Sequence, residues 1–238
     1  MYEHWGKVFY PDGVKNKDQL PYFAKHFDTV EINSTFYRIP PGNGVKGWHD
    51  STPANFLFAV KMNRYLTHHK RLIIDDRSRE MLDAFTRALK PLADKTAAVL
   101  VQIQPSFAAN YERLETFLTY LLKQKFYRGK DICFEARHPS WFKGDELAAL
   151  LRKHDVGFVI GTYPGSFKPP YPISSPFVYI RFHATAKKPN YTPNDLKKWA
   201  DYVANLPGSV KRIYIYFNND FEGWAIKNAE YFKKLLVK

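Results

Sequence analysis

Ile132-Cys133-Phe134-Glu135-Ala136-Arg137-His138-Pro139-Ser140-Trp141 opens as a strand and ends as a cluster of reactive groups. Ile132, Phe134 and Ala136 fall on one face of a period-two pattern, and Cys133, Glu135 and Arg137 on the other. Burying a lone carboxylate or guanidinium is costly. Here both point the same way, and Pro139 ends the strand just beyond them. The fold therefore has to supply a polar interior at the C-terminal end of this strand.

The same two-faced alternation recurs along the chain. Thr29–Phe36 sets Val30, Ile32 and Ser34 against Glu31, Asn33 and Thr35. Asn55–Met62 sets Phe56, Phe58 and Val60 against Leu57, Ala59 and Lys61. Thr96–Ile103 sets Val99, Val101 and Ile103 against Leu100, Gln102 and the following Gln104. Phe177–Ala184 sets Val178, Ile180 and Phe182 against Tyr179, Arg181 and His183. Arg212–Asn219 sets Ile213, Ile215 and Phe217 against Tyr214, Tyr216 and Asn218, and Gly157–Thr162 is a further strand. Between them, helical spacing predicts helices over Lys17–His26, Asp75–Leu89, Tyr111–Leu122, Gly144–His154, Thr192–Asn205 and from Gly223 onward, with at most a short one over Val45–Asp50. Residues 164–176 carry five prolines and read as loop.

Strand alternating with helix predicts a parallel sheet. A doubly wound sheet needs apolar residues on both faces. These strands instead bring Glu31, Lys61, Gln102, Gln104, Glu135, Arg137, Arg181, His183 and Asn218 to one face. A closed barrel has one inner face where such groups meet near the C-terminal mouth. The expectation is an α/β fold, a TIM-like (β/α) barrel in one domain over residues 1–238. Seven strands are visible, and the usual first strand is expected ahead of residue 1.

Length and composition fit that size: 238 residues, 45% hydrophobic. No apolar run reaches membrane-spanning length, and Met1 does not open a secretory signal. The single cysteine, Cys133, excludes an internal disulfide and a cysteine-based zinc site, so a cytoplasmic protein is expected. Net charge is +13, from 36 Lys+Arg against 23 Asp+Glu. Such a balance suits nucleic acid or small anions. The basic residues are scattered, which favours a lysine-rich solvated surface over a dedicated nucleic-acid arm.

The chain resembles the YecE-like family, the domain of unknown function 72. The resemblance rests on Phe9-Tyr10-Pro11, Thr29-Val30-Glu31-Ile32-Asn33-Ser34-Thr35-Phe36-Tyr37-Arg38, Thr52-Pro53, Phe58-Ala59-Val60-Lys61 and Thr67-His68. It continues through Gln102-Ile103-Gln104-Pro105-Ser106-Phe107, Phe134 to Trp141, Tyr179-Ile180-Arg181-Phe182-His183, and Tyr216-Phe217-Asn218-Asn219-Asp220 with Gly223, Asn228 and Ala229. It implies a TIM-like barrel and brings no reaction with it. It also implies a first strand and a Gly-Thr-Ser-Gly-like turn ahead of Tyr2-Glu3-His4-Trp5, a segment this sequence lacks.

The chemistry centres on two carboxylates. Glu135 and Glu31 suit an acid/base pair, or the nucleophile and acid of glycoside hydrolysis. The competing reading is a pair of interior charges neutralised by Lys61, Arg137 and Arg181. Those three with His183 suit a phosphate or carboxylate, arginine offering a two-pronged grip. Asn33, Gln102 and Asn218 supply polar contacts, while Tyr37, Trp141, Tyr163 and Tyr216 suit stacking on a sugar or base, with plain packing at the barrel rim as the competing reading of equal weight. His68, His138 and His183 with Glu31, Glu135 and Asp220 form the minor metal reading, which no local His-Glu spacing supports, so no metal ligand is assigned. The expectation is an enzyme on a small anionic, sugar-like substrate. A nucleic-acid-binding or -processing protein and a non-catalytic barrel scaffold are the alternatives.

Overall fold

The computed structural model of the chain describes residues 5–6 and 8–237. Seven parallel strands form one sheet in the order of the chain: β1 (Thr29–Ile32), β2 (Leu57–Lys61), β3 (Thr96–Gln102), β4 (Asp131–Glu135), β5 (Gly157–Thr162), β6 (Phe177–Phe182) and β7 (Arg212–Phe217). The sheet curls into a TIM-like barrel wrapped by helices. These are α1 (Asn16–Phe23), α2 (Ser34–Tyr37), α3 (Gly42–Asp50), α4 (Asp76–Leu89), α5 (Tyr111–Lys123), α6 (Glu146–Lys153), α7 (Pro193–Ala204) and α8 (Trp224–Leu236). No described helix is long and apolar enough to cross a membrane.

Local chemistry fixes the helix starts. Asp75 caps α4 by accepting from the Ser78 amide at 2.9 Å. Thr192 and Asp195 form a reciprocal capping box on α7. The apolar stripe Leu82, Phe85 and Leu89 then buries α4 against the sheet, and Leu114, Phe117, Leu118 and Leu121 bury α5.

The interior is layered. At the floor, Asp131 accepts from Arg212 Nε at 2.7 Å, Arg212 Nη2 at 2.8 Å and the Tyr214 hydroxyl at 2.8 Å. Beside it, Gly157 makes room for Phe177: a Cβ on this glycine would lie 2.3 Å from the ring. The middle layer is apolar and aromatic, including Ala59, Leu100, Cys133, Val159, Tyr179 and Tyr216. The third layer, at the strands' C-terminal ends, is polar and forms the mouth.

Several element ends differ from the sequence expectation, and three differences bear on the mouth or its surroundings. The first strand stops at Ile32 and does not run to Phe36, because Asn33 turns into helical dihedrals and opens α2. Thr35 therefore does not line the mouth; its hydroxyl hydrogen-bonds to the carbonyls of Lys61 at 2.7 Å and Ile32 at 3.0 Å. The fourth strand stops at Glu135, so Arg137 reaches the mouth from the connecting loop. Tyr65–His69 forms a wide π-helical turn that apolar periodicity did not signal.

Among the described residues β1 and β7 do not pair with each other, so the barrel has an open seam. Side chains bridge it: Thr29 Oγ1 lies 2.8 Å from the Tyr216 hydroxyl, and Asn33 Nδ2 lies 3.3 Å from Asn218 Oδ1. Behind the seam is a cavity of about 810 Å³ whose lining includes Leu20, Phe23, Val30, Trp48, Ile215 and Ile226. Tyr2, Glu3 and His4, where a preceding turn was expected to join, lie outside the described residues.

Candidate active site

Five strands carry an inward polar side chain at or next to their last residue, Glu31, Lys61, Gln102, Glu135 and Arg181, while β5 offers only Gly161 and Asn218 follows the end of β7. Register places Gln102 beside Glu135 and Gly161 beside Arg181. Arg181 is the hub. Its Nε lies 3.0 and 3.2 Å from the two Glu31 oxygens, its Nη2 lies 2.7 Å from Glu31 Oε1, and its Nη1 lies 2.6 Å from Glu135 Oε2. Nη2 also approaches Asn218 Oδ1 at 3.4 Å. One guanidinium thus joins carboxylates from β1 and β4.

The remaining carboxylate valences are filled. Glu31 accepts from the Tyr179 hydroxyl at 2.6 Å and from Asn33 at 3.1 Å. Glu135 accepts from Gln102 at 2.7 Å and from Arg137 Nε and Nη2 at 2.9 Å each. His183 Nε2 stands 3.5 Å from Glu135 Oε1, at the outer limit of contact, and has no other hydrogen-bond partner among the described residues. Arg181, Glu31 and Glu135 are almost fully buried, whereas the Arg137 side chain keeps 32% of its exposure.

Charge follows from this geometry. Burial pushes the Glu31 carboxyl up, but the Arg181 charge, the Arg181 and Tyr179 hydrogen bonds and Lys61 together hold it below the usual carboxylate range. Burial opposes Glu135 too, and Arg181, His183 and Arg137 hold it well below that range. Both are ionised at neutral pH. Lys61 goes the other way: burial first, then the Arg181 charge, depress its ammonium from 10.5 to about 8. The same burial, with Lys61 and Arg137 nearby, lowers His68 to about 4, so its imidazole is neutral.

Lys61 differs from its neighbours in a further respect. Its ammonium makes no hydrogen bond among the described residues and sits 4.2 Å from the centre of the Phe36 ring. Three cations, Lys61, Arg137 and Arg181, face two carboxylates here, an excess of one positive charge.

The match to known proteins covers the whole chain: a model described as "Protein of unknown function DUF72" matches residues 1–238. The chain belongs to the DUF72 family. It is similar to the UPF0759 protein YunF of Bacillus subtilis strain 168, 27% identical over 263 residues, 98% of this chain and 92% of YunF. It is also similar to the UPF0759 protein YecE of Escherichia coli K12, 29% identical over 136 residues, 56% of this chain and 47% of YecE. Among solved structures, a DUF72 family protein of Thermotoga maritima MSB8 superposes with a TM-score of 0.82 at 28% identity, covering 100% of this chain and 96% of that one.

Within this DUF72 chain, the barrel brings together Glu31, Glu135, Arg181, Gln102, Arg137, Asn33 and Asn218 by direct contacts, with His183 and Lys61 at the edge of the same network. Tyr37 lies on the rim, 65% exposed, beside the seam cavity. Trp141 is a correction. It is fully buried between the sheet and the helices among Phe107, Tyr111 and Phe134, and its indole N–H donates to the Phe107 carbonyl at 2.7 Å. The cause is the turn at Pro139, which sends the ring outward, so it cannot stack on a ligand in the mouth. No three of the described His, Cys, Asp and Glu residues come together in a metal-holding group. His138 bonds Ser140, and His68 packs on Phe36. Tyr179 was missed as a site residue; its parity, two positions before Arg181, was the available signal.

Proposed function

We propose that the chain is an enzyme acting on a small anionic, sugar-like substrate, phosphorylated or carboxylated, at the C-terminal mouth of the barrel. The observation that carries this reading is the positive excess there, with one ammonium that has no hydrogen-bond partner among the described residues and one guanidinium partly open to solvent. Arg137, Lys61 and His183 are the groups that meet the anion. Arg181 has every nitrogen engaged, so it sets the carboxylates in place and does not itself grip the ligand. Glu135, ionised and adjacent to Arg137 and His183, is the proton acceptor, and Glu31 fixes Arg181 behind it. Asn33, Gln102 and Asn218 hold that arrangement.

The experiment is a melting series with sugar phosphates, carboxylated sugars and their neutral parents at matched ionic strength. A fitting anion at one hundred times its dissociation constant stabilises by about 2.7 kcal/mol, a rise of roughly 5 to 10 °C for a chain of this size. Arg137→Ala should remove the rise and Lys123→Ala should not. A rise that survives Arg137→Ala, or none with any small anion, overturns the reading. Salt-dependent binding of generic oligonucleotides with no small-anion effect would assign the positive charge to nucleic acid instead.

A further inference from the structure

Among the described residues two lysines are buried, in opposite ways. Lys95, 5% exposed, saturates its ammonium with the carbonyls of His49 at 2.7 Å and Thr52 at 2.8 Å and the Thr52 hydroxyl at 3.1 Å. It is a structural tie. Lys61, 9% exposed, satisfies none of its three donors among the described residues. Its ammonium is instead left facing the Phe36 ring and the open mouth, free to meet a ligand.

The backbone beneath Lys61 is firmly held. Its carbonyl accepts from the Thr35 hydroxyl at 2.7 Å, the Met62 amide donates to Leu100 O at 2.9 Å, and Asn63 donates to the Thr35 carbonyl at 3.1 Å. The side chain therefore extends from a fixed strand end into the mouth, over the face of Phe36. Glu31, Glu135, Arg181 and Arg137 all act on it, and its charge acts on His68. Both carboxylates are already engaged by Arg181 and hydrogen bonds, so neither closes on Lys61 as an ion-pair partner.

We propose that Lys61 is a covalent nucleophile whose ε-amine condenses with an aldehyde or ketone carbonyl of the substrate to form an imine. The proposal rests on the small-anion reading of this mouth and adds the carbonyl to it: the substrate class is an anionic aldehyde or ketone. The amine lone pair forms the C–N bond as the carbonyl π bond opens. The two amine protons leave with the carbonyl oxygen as water, so nothing is oxidised or reduced. Burial and the neighbouring arginine charge keep part of the amine unprotonated near neutral pH, as nucleophilic attack requires. The resulting imine, once protonated, draws electrons from the adjacent carbon and so makes a C–H bond there more acidic.

The test is reductive trapping. The intact chain is incubated with glycolaldehyde phosphate, glyoxylate or uncharged glycolaldehyde and cyanoborohydride, and adducts are located by peptide mass. Lys61 should label about tenfold faster than any surface lysine, because far more of its amine is unprotonated. Labelling should saturate with probe concentration, and the rate should climb toward pH 8. Lys61→Arg should lose only the fast adduct, and an unchanged melting curve shows that its fold is intact. Slow labelling spread over surface lysines, with Lys61 no faster, overturns the proposal even where anions raise the melting temperature. Fast labelling of Lys61 by glycolaldehyde without preference for its phosphate upholds the nucleophile and overturns only the anionic substrate.

Discussion

Arg181 on β6 holds Glu31 on β1 with two nitrogens, Nε and Nη2, at 2.7 to 3.2 Å. Both side chains are about 3% exposed. The contact spans the interior of the barrel, so it ties together strands that no hydrogen-bond ladder joins.

Removing that tie exposes its weight. Arg181→Met leaves Glu31 and Glu135 buried without their shared counter-ion. Breaking a buried pair in this way costs about 3 to 5 kcal/mol, a fall in melting temperature of roughly 6 to 20 °C. Adding Glu31→Gln should restore part of it, since one orphaned charge is then removed. A single-variant shift under about 1 kcal/mol would show the network to be stabilising no more than a surface pair.

Acid should act through the same carboxylates. Both have folded-state pKa values below their ordinary 4.5. The unfolded chain therefore binds more protons between the two values. The stabilisation is complete above about 4.5 and is lost as pH falls through the depressed folded values. The melting gap between wild type and Glu135→Gln should be widest at neutral pH and close steadily below pH 4.5. A constant gap from pH 7 to pH 3 would contradict this.

Lys61 gives the opposite limb. Its folded-state value is near 8 against 10.5 when unfolded, so stability rises with pH across that window. At pH 7 the buried ammonium is a burden. Lys61→Met should therefore melt higher than wild type at pH 7, and its advantage should shrink by pH 10.5. A variant that melts lower at pH 7 would indicate that the ammonium is well solvated.

Much of this was legible from parity alone. Period two assigned Glu31, Lys61, Gln102, Glu135, Arg181 and Asn218 to one interior, because each sits an even number of residues from apolar or aromatic inward neighbours such as Ala59, Cys133 and Tyr179. What parity could not convey was where a strand stops. Trp141 and Thr35 lie just past strand ends, where a turn resets direction, so Trp141 leaves the mouth and Thr35 leaves the strand face it was expected to share with Glu31. Nor could sequence distinguish the engaged Arg181 from the more open Arg137. That difference depends on which strands lie opposite across the barrel.

The seam makes a separate prediction. β1 and β7 each present a row of backbone groups unpaired by another described strand, an invitation to edge association. A strand designed to lie between them, fused ahead of Met1, should raise the melting temperature and suppress self-association measured by sedimentation. Unchanged melting and mass would mean that side-chain bridges such as Thr29–Tyr216 already close the barrel adequately.

The hub also dictates an order of assembly. Arg181 lies 150 residues after Glu31 and 46 after Glu135. During synthesis, the first four strands emerge carrying two interior carboxylates whose main counter-ion has not yet been made. They cannot settle into their final packing until β6 arrives. Such long-range dependence slows folding and leaves the half-made chain exposed to misassociation. A fragment ending after Glu135 should behave as a loose, aggregation-prone species, and the mouth should be the last part of the molecule to take shape.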